Sequence, residues 1–192
     1  MSSLPIKKYS LSEYFELEKT SDVRYEYVFG EIFLMSGGSP NHNRIAGAIY
    51  ANLYPQLINT PCESFTENMR TRTHNQVYRY PDIVVACTPR FININGVQSL
   101  TNPILIVEVL SESTEAYDMD RKFQEYRQIE SLIYYLLVSQ IEVLATLFTK
   151  DDNGNWTNQV YTSLDEILEF PAINCKLLIR DIYLRVQFNQ AS

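Results

Sequence analysis

Two carboxylates inside apolar segments are the residues of this chain best suited to chemistry. Asp82 directly precedes the apolar run Ile83–Ala86, and Glu108 lies within a second apolar run, 104–110. Such runs indicate strands covered on both faces, where an ionised carboxylate is costly unless it is paired or binds a metal. Two of them could converge on one Mg²⁺, with Mn²⁺ as a possible substitute. The alternative is that Asp82 caps a strand and Glu108 pairs with an arginine.

A lysine on the next predicted helix could complete such a site. Lys122 falls in the helical segment 118–129, at the edge of the face on which Phe123 and Tyr126 would pack. A lysine that reaches two carboxylates could orient an attacking water or stabilise charge in the transition state of phosphodiester hydrolysis. Taken alone, Lys122 could equally be an ordinary surface lysine.

The elements that must position these residues follow from hydrophobic periodicity and turn residues. Helices are predicted over 10–19, with Ser10 or Ser12 as cap, over 41–58, where Pro55 should kink or end the helix, and over 118–129. Strands are predicted at 24–29, 32–35, 64–73, 78–86, 104–110, 133–138 and 143–149, with turns at 75–76 and 152–155. The remainder, 156–188, predicts a strand, a short helix near Leu164 and a last strand over 178–186. The strands on either side of the third helix could be parallel, so the pattern indicates an α/β fold.

Composition sets the wider limits. The 192 residues predict one domain, 1–192. A net charge of −7 argues against broad electrostatic binding to nucleic acid. No secretory signal or bilayer-length apolar stretch is visible, so a cytoplasmic protein that does not enter a membrane is expected. Cys62, Cys87 and Cys175 form no CxxC pair and should be small buried thiols in a reducing compartment.

A set of short motifs, in order along the chain, resembles the Uma-two family of restriction endonucleases, part of the PD-(D/E)XK nuclease superfamily. The resemblance spans roughly 9–149, and its most telling part is the Val-Glu-Val-Leu-Ser block at 107–111. The matching segments are Tyr25–Glu31, Met35, Pro40–His42, Tyr80–Ile83, Val107–Thr114, Lys122, Tyr126 and Tyr134–Leu136.

The resemblance implies a restriction-endonuclease-like mixed central sheet flanked by helices. It assigns Asp82, Glu108 and Lys122 as catalytic residues. In many nucleases of the superfamily a lysine lies two residues after the second carboxylate; that position here is Leu110, and Lys122 would supply the charge from the following helix. Glu26 matches an early acidic position, where it could bind a second metal or hold Lys122, or simply be an exposed hairpin glutamate.

Several basic residues are weaker candidates for substrate contact. His42 lies at the start of the second helix, in the family's Pro-x-His position, and could approach the substrate or cap that helix. Arg70, Arg72 and His74 alternate along one strand and could form a strip that contacts phosphates, with Arg79 opposite across the turn. The alternative is a solvated hairpin face.

The sequence is therefore consistent with two functions. The first is a metal-dependent endodeoxyribonuclease in which Asp82, Glu108 and Glu26 hold Mg²⁺ and Lys122 activates water for attack on DNA. The second is a binding or scaffold protein on the same fold with weak or no cleavage, which the net charge favours. The tyrosine count and the resemblance predict a homodimer.

Overall fold

Fourteen strands and four α-helices form in the computed structural model, which describes residues 7–35, 37–110 and 121–188. In chain order the strands are β1 (Tyr25–Val28), β2 (Glu31–Leu34), β3 (Cys62–Thr66), β4 (Thr71–His74), β5 (Val77–Arg79), β6 (Ile83–Cys87), β7 (Phe91–Ile94), β8 (Val97–Leu100), β9 (Leu105–Leu110), β10 (Tyr134–Ser139), β11 (Ala145–Lys150), β12 (Trp156–Tyr161), β13 (Ile167–Phe170) and β14 (Cys175–Leu178). The helices are α1 (Leu11–Thr20), α2 (Pro40–Leu57), α3 (Phe123–Tyr126) and α4 (Ile179–Tyr183).

Most strands belong to two six-stranded sheets. The central sheet has the order β12-β11-β10-β9-β6-β3, and the second sheet has the order β2-β1-β5-β4-β8-β7. In the central sheet β9 and β10 are parallel, as the sequence predicts, and the other neighbours are antiparallel. The mixed α/β class is confirmed, and β13 and β14 form a separate hairpin.

The inner strands β6, β9 and β10 of the central sheet are buried on both faces, which explains their continuous apolar runs. One face packs on α2 and includes Ile83, Val85 and Val107. The other packs on α3 and includes Val84 and Ile106. Because successive side chains of a strand alternate between faces, Asp82 and Glu108 both belong to the α3 face.

The first two helices start as their sequences dictate. Ser10 caps α1 in a capping box with Glu13, one of the two caps predicted. Ser39 caps α2, and Pro40 occupies its first turn. Pro55 does not end α2 early, since the helix continues through it to Leu57. Proline removes a single helical hydrogen bond there, in the last turn.

Several predicted elements are wrong in detail. The long strands predicted over 64–73 and 78–86 each divide into two strands that belong to different sheets. The hairpin of β7 and β8 has no counterpart in the prediction. No helix forms near Leu164. The last strand predicted over 178–186 is wrong for most of its length: Leu178 ends β14, and helix α4 follows over 179–183, where Ile179 and Ile182 pack into the core at helical spacing. Residues 118–120 of the third predicted helix lie outside the described residues.

The cysteines also require a correction. Cys62 and Cys87 are register partners on the antiparallel strands β3 and β6, and they form a disulfide. The prediction of buried free thiols is therefore wrong for this pair and holds for Cys175. The spacing of 25 residues gave no sign that an antiparallel register would bring the two cysteines together.

Within the described ranges no helix is long and apolar enough to cross a membrane.

Candidate active site

Asp82 and Glu108 meet where β6 begins and β9 ends. Ile83 is the register partner of Val107, so the next step of this antiparallel pair brings Asp82 to Glu108. Asp82 Oδ2 accepts a hydrogen bond of 2.7 Å from the backbone N–H of Val109. The Asp82 and Glu108 side chains are 13% and 6% exposed. The register makes the two carboxylates neighbours, and their low exposure places them at the floor of one site.

Glu108 is held by two side chains at the two ends of α3, Lys122 just before the helix and Tyr126 at its last residue. Lys122 Nζ lies 3.2 Å from Glu108 Oε1, and the Tyr126 hydroxyl donates to the same oxygen at 2.7 Å. Residues four apart lie on one face of a helix, which explains why both reach one carboxylate. Burial, together with the Glu108 charge, raises the pKa of Tyr126 well above its ordinary value, so the hydroxyl remains a donor. Lys122 points into the site with 13% of its side chain exposed, while its catalytic role stays a prediction.

His42 approaches Asp82 from the first turn of α2. Its Nε2 lies 3.2 Å from Asp82 Oδ2. The hydrogen bond to Asp82 raises the pKa of His42 above its ordinary value, against the opposing effect of burial. The cap of α2 is Ser39, whose Oγ accepts from the His42 backbone N–H at 3.1 Å. Of the two roles considered for His42, the structure thus excludes capping and places the imidazole in the site.

Glu26 lines the same site but is tied to a buried arginine. Its Oε2 lies 2.5 Å from Arg79 Nη1, and its Oε1 accepts from the Tyr80 backbone N–H at 3.2 Å. Arg79, only 1% exposed, also binds Glu125 Oε2 through Nη2 at 2.7 Å and Nε at 3.1 Å. Arg79 therefore joins β1, β5 and α3, the helix that Lys122 precedes.

The proposed phosphate strip is not formed. Arg70 is 2% exposed and binds Glu18 Oε2 at 3.1 Å and Ser99 Oγ at 2.8 Å. The substrate-contact prediction for Arg70 is wrong, because the guanidinium is enclosed and neutralised inside the protein. Arg72 is half-buried beside Tyr78, His74 is exposed, and neither lines the site cleft. The Arg79 side chain, predicted opposite this strip, is buried in the Glu26–Glu125 contact.

A cleft of about 760 Å³ opens above the carboxylates. Among the described residues, the charged lining has four carboxylates and two permanent cations, with one imidazole beside Asp82. These residues are Glu26, Glu67, Asp82, Glu108, Arg24, Lys122 and His42. Within the described ranges, no three His, Cys, Asp or Glu side chains are grouped to hold a metal ion. Of the described residues, Asp82 and Glu108 are best placed to hold a metal here, with water or substrate oxygens in its shell.

Comparison with known proteins places this chain in a family. A family described as "Putative restriction endonuclease", Uma2, matches residues 11–179. The chain belongs to the Uma2 family. An uncharacterized protein of Synechocystis sp., slr1290, is 36% identical to this Uma2 chain over 187 residues, 97% of each chain. A second Synechocystis protein, sll1609, is 34% identical over 147 residues, 76% of this chain and 82% of that protein.

A solved structure has the same fold as this Uma2 chain. It is a crystal structure described as "a putative nuclease belonging to DUF820" from Anabaena variabilis. The TM-score is 0.71 and the identity 20%, with 95% of this chain and 100% of the other covered. The restriction-endonuclease-like architecture expected from the sequence is thereby confirmed.

The contacts of Arg79 with Glu26 and Glu125 were not predicted from the sequence. Arg79 and Tyr80 immediately precede Pro81-Asp82, and an arginine within the aromatic segment 78–80 is the signal that could have indicated a buried cation. Its partner Glu125 lies 46 positions away, which periodicity cannot connect.

Proposed function

We propose that this Uma2 protein is a Mg²⁺-dependent endonuclease that hydrolyses phosphodiester bonds of DNA. The observation that supports it best is the convergence of Asp82, Glu108 and Lys122, from three separate elements, at the floor of one cleft. Buried strands rarely carry carboxylates without a partner or a ligand, and here two are brought together with a lysine beside them.

The donor set fits Mg²⁺ better than a metal that needs several protein ligands. Asp82 and Glu108 offer only oxygen, and Mg²⁺ is commonly held by one or two carboxylates, with waters and substrate phosphates completing its shell. Mn²⁺ is an acceptable substitute in such a site. When bound, the metal would supply Lewis acidity and a template for substrate. Glu26 is proposed to assist, although in the structure its carboxylate is engaged by Arg79.

The protein groups around the carboxylates would hold Asp82 and Glu108 in position and stabilise negative charge that develops on the phosphate. The Val109 N–H orients Asp82, and the Tyr126 hydroxyl orients Glu108. Lys122 can orient the attacking water or stabilise negative charge that develops on the phosphate. His42 contacts Asp82 and faces the same cleft, where it could meet a phosphate oxygen.

The test is a cleavage panel of single- and double-stranded DNA with Mg²⁺, Mn²⁺ and EDTA. Asp82→Ala and Glu108→Gln should each abolish metal-dependent cleavage. Lys122→Ala should lower the rate about 10²-fold or more while Mg²⁺ binding measured by calorimetry stays nearly intact. Lys176→Ala, an exposed lysine on β14, is the matched control and should cleave like wild type. Cleavage that survives EDTA would contradict the proposal.

A binding or scaffold role is the second candidate, and the acidic cleft and the net charge of −7 favour it. It predicts DNA or protein binding without turnover under any metal. Calorimetry separates the two, because only a metal site should lose Mg²⁺ or Mn²⁺ binding in Glu108→Ala.

A homodimer and a cytoplasmic location complete the proposal. The homodimer is proposed from the family and from the 14 tyrosines of the chain, because tyrosine is enriched at protein–protein interfaces. Cys62 and Cys87 form a disulfide in the structure, and a reducing cytoplasm would convert it to a dithiol, so trapping free thiols at cell lysis tests the location.

A further inference from the structure

One wall of the cleft is apolar and open to solvent. It consists of Val23, Phe33, Leu34 and Met35, which belong to the β1–β2 hairpin or flank it directly. Val23 is 45% exposed, Phe33 43% and Leu34 63%. Large exposed apolar side chains around a cleft commonly mark a binding surface, and this apolar wall adjoins the Asp82–Glu108–Lys122 floor in the same cleft.

The strand register directs Phe33 toward that floor. Phe33 is the direct partner of Glu26 in the antiparallel pair of β1 and β2. Partners of this kind project their side chains from the same face of a sheet. Glu26 reaches the Tyr80 backbone N–H and Arg79 at the edge of the site, so the Phe33 ring stands on the site side of the hairpin.

The charges of the cleft do not suit an extended duplex. Duplex binding commonly uses about 6–10 phosphate contacts from basic groups. The described lining has Arg24 and Lys122 as permanent cations against four carboxylates. The sequence of residues 111–120 adds no lysine or arginine. Affinity must therefore come largely from something other than phosphate neutralisation.

We propose that the apolar wall, with Phe33 as its stacking surface, holds an unpaired nucleobase, so that the substrate is single-stranded or locally unpaired DNA. This inference rests on the proposed function and specifies its substrate class. A nucleotide joins a flat apolar base to an anionic phosphate, and the cleft offers an aromatic wall at one side and a lysine beside paired carboxylates at the other. Stacking on aromatic side chains is tolerant of sequence and contributes about 1–3 kcal/mol per base to single-strand binding. Arg24, exposed at the edge of the wall, can meet a flanking phosphate.

The test measures binding separately from cleavage. Fluorescence anisotropy in EDTA and in Ca²⁺ compares three labelled probes of equal length, about ten nucleotides: a single strand, its duplex, and an abasic strand with the same phosphates. The ratio between the base-bearing and abasic strands isolates stacking, since phosphate repulsion is common to both. Salt titration of each probe adds an independent measure of phosphate contacts.

Variants of one residue supply the sharper comparison. Phe33→Ala should weaken single-strand binding about tenfold and leave binding of the abasic strand unchanged. Phe33→Trp should restore binding, and its added tryptophan fluorescence should be quenched by the base-bearing strand. Phe29→Ala removes an exposed aromatic side chain of the same hairpin that lies outside this cleft and should bind like wild type.

The possible outcomes separate the inference from the proposed function. A duplex preference, equal binding of the abasic strand, or an unaffected Phe33→Ala variant would overturn the stacking proposal even if the protein cleaves DNA. A shift of Phe33→Ala from dimer to monomer in light scattering would overturn it in favour of an interface between copies. Stacking-dependent binding without cleavage under any metal would uphold the base subsite and reject the endonuclease proposal.

Discussion

Replacing Arg79 by methionine should destabilise the protein far more than replacing an exposed arginine. The guanidinium is 1% exposed and pairs with both Glu26 and Glu125, which are 12% and 21% exposed. Removing one member of a buried ionic network typically costs about 3–5 kcal/mol, because the remaining charges stay buried without compensation. Glu125 can turn partly toward solvent, so we expect a loss near the lower end, about 3 kcal/mol.

Urea unfolding followed by circular dichroism measures this loss directly. For a chain of this size a loss of about 3 kcal/mol corresponds to a fall in Tm of about 6–12 °C. Arg180→Met is the matched control, since Arg180 also pairs with a carboxylate but both side chains are largely exposed, 55% and 79%. That change should cost about 0–1 kcal/mol.

A combined variant distinguishes charge from packing. Neutralising both carboxylates, Glu26→Gln with Glu125→Gln, in the Arg79→Met background should recover most of the lost stability, because no unpaired buried charge remains. If Arg79→Met costs no more than Arg180→Met, or if neutralising the glutamates deepens the loss, the interpretation of Arg79 as a buried electrostatic clamp is wrong.

Three further predictions follow from individual contacts. A methyl group on Gly38 would lie 2.6 Å from His42 Nδ1, so Gly38→Ala should displace the imidazole from the aspartate that raises its pKa, and NMR titration should show a lower His42 pKa than in wild type. An alkylating reagent should label no cysteine in the oxidised native protein, because burial raises the pKa of the Cys175 thiol and shields it; denaturation should expose Cys175 alone, and added reductant should expose Cys62 and Cys87 as well. Light scattering at micromolar concentration should give twice the chain mass, and a monomer mass would reject the homodimer.

The sequence carried enough local information for many of the elements. Ser10 and Glu13 have the capping-box spacing, and α1 begins where that spacing predicts. Asn95-Gly96 is an equally strong hairpin signal, and both residues have positive φ, 53° and 84°. The hairpin of β7 and β8 is therefore predictable from the sequence.

Other features could not be obtained from periodicity. Alternation correctly indicated that Arg70 and Arg72 share one side of the chain near β4, but it cannot tell a buried side from an exposed one. Arg70 is enclosed because Glu18, 52 positions earlier, supplies the opposing charge. The carboxylate pair was recognisable from its apolar context, whereas the contacts that fix it, from Val109 and Tyr126, depend on tertiary packing.

The chain crosses repeatedly between the two sheets, which limits how the protein can be divided or recombined. Between β3 and β9 the chain passes from the central sheet to the second sheet and back twice, through β4–β5 and β7–β8. No single cut separates the sheets, so neither can be transplanted or exchanged by recombination as a module. New sequence is best accommodated at hairpin tips such as Asn95-Gly96 and Asn153-Gly154, where exposed turns can lengthen without unthreading the strands. Inserting a peptide tag at these two turns, one at a time, would show whether the fold tolerates insertions there.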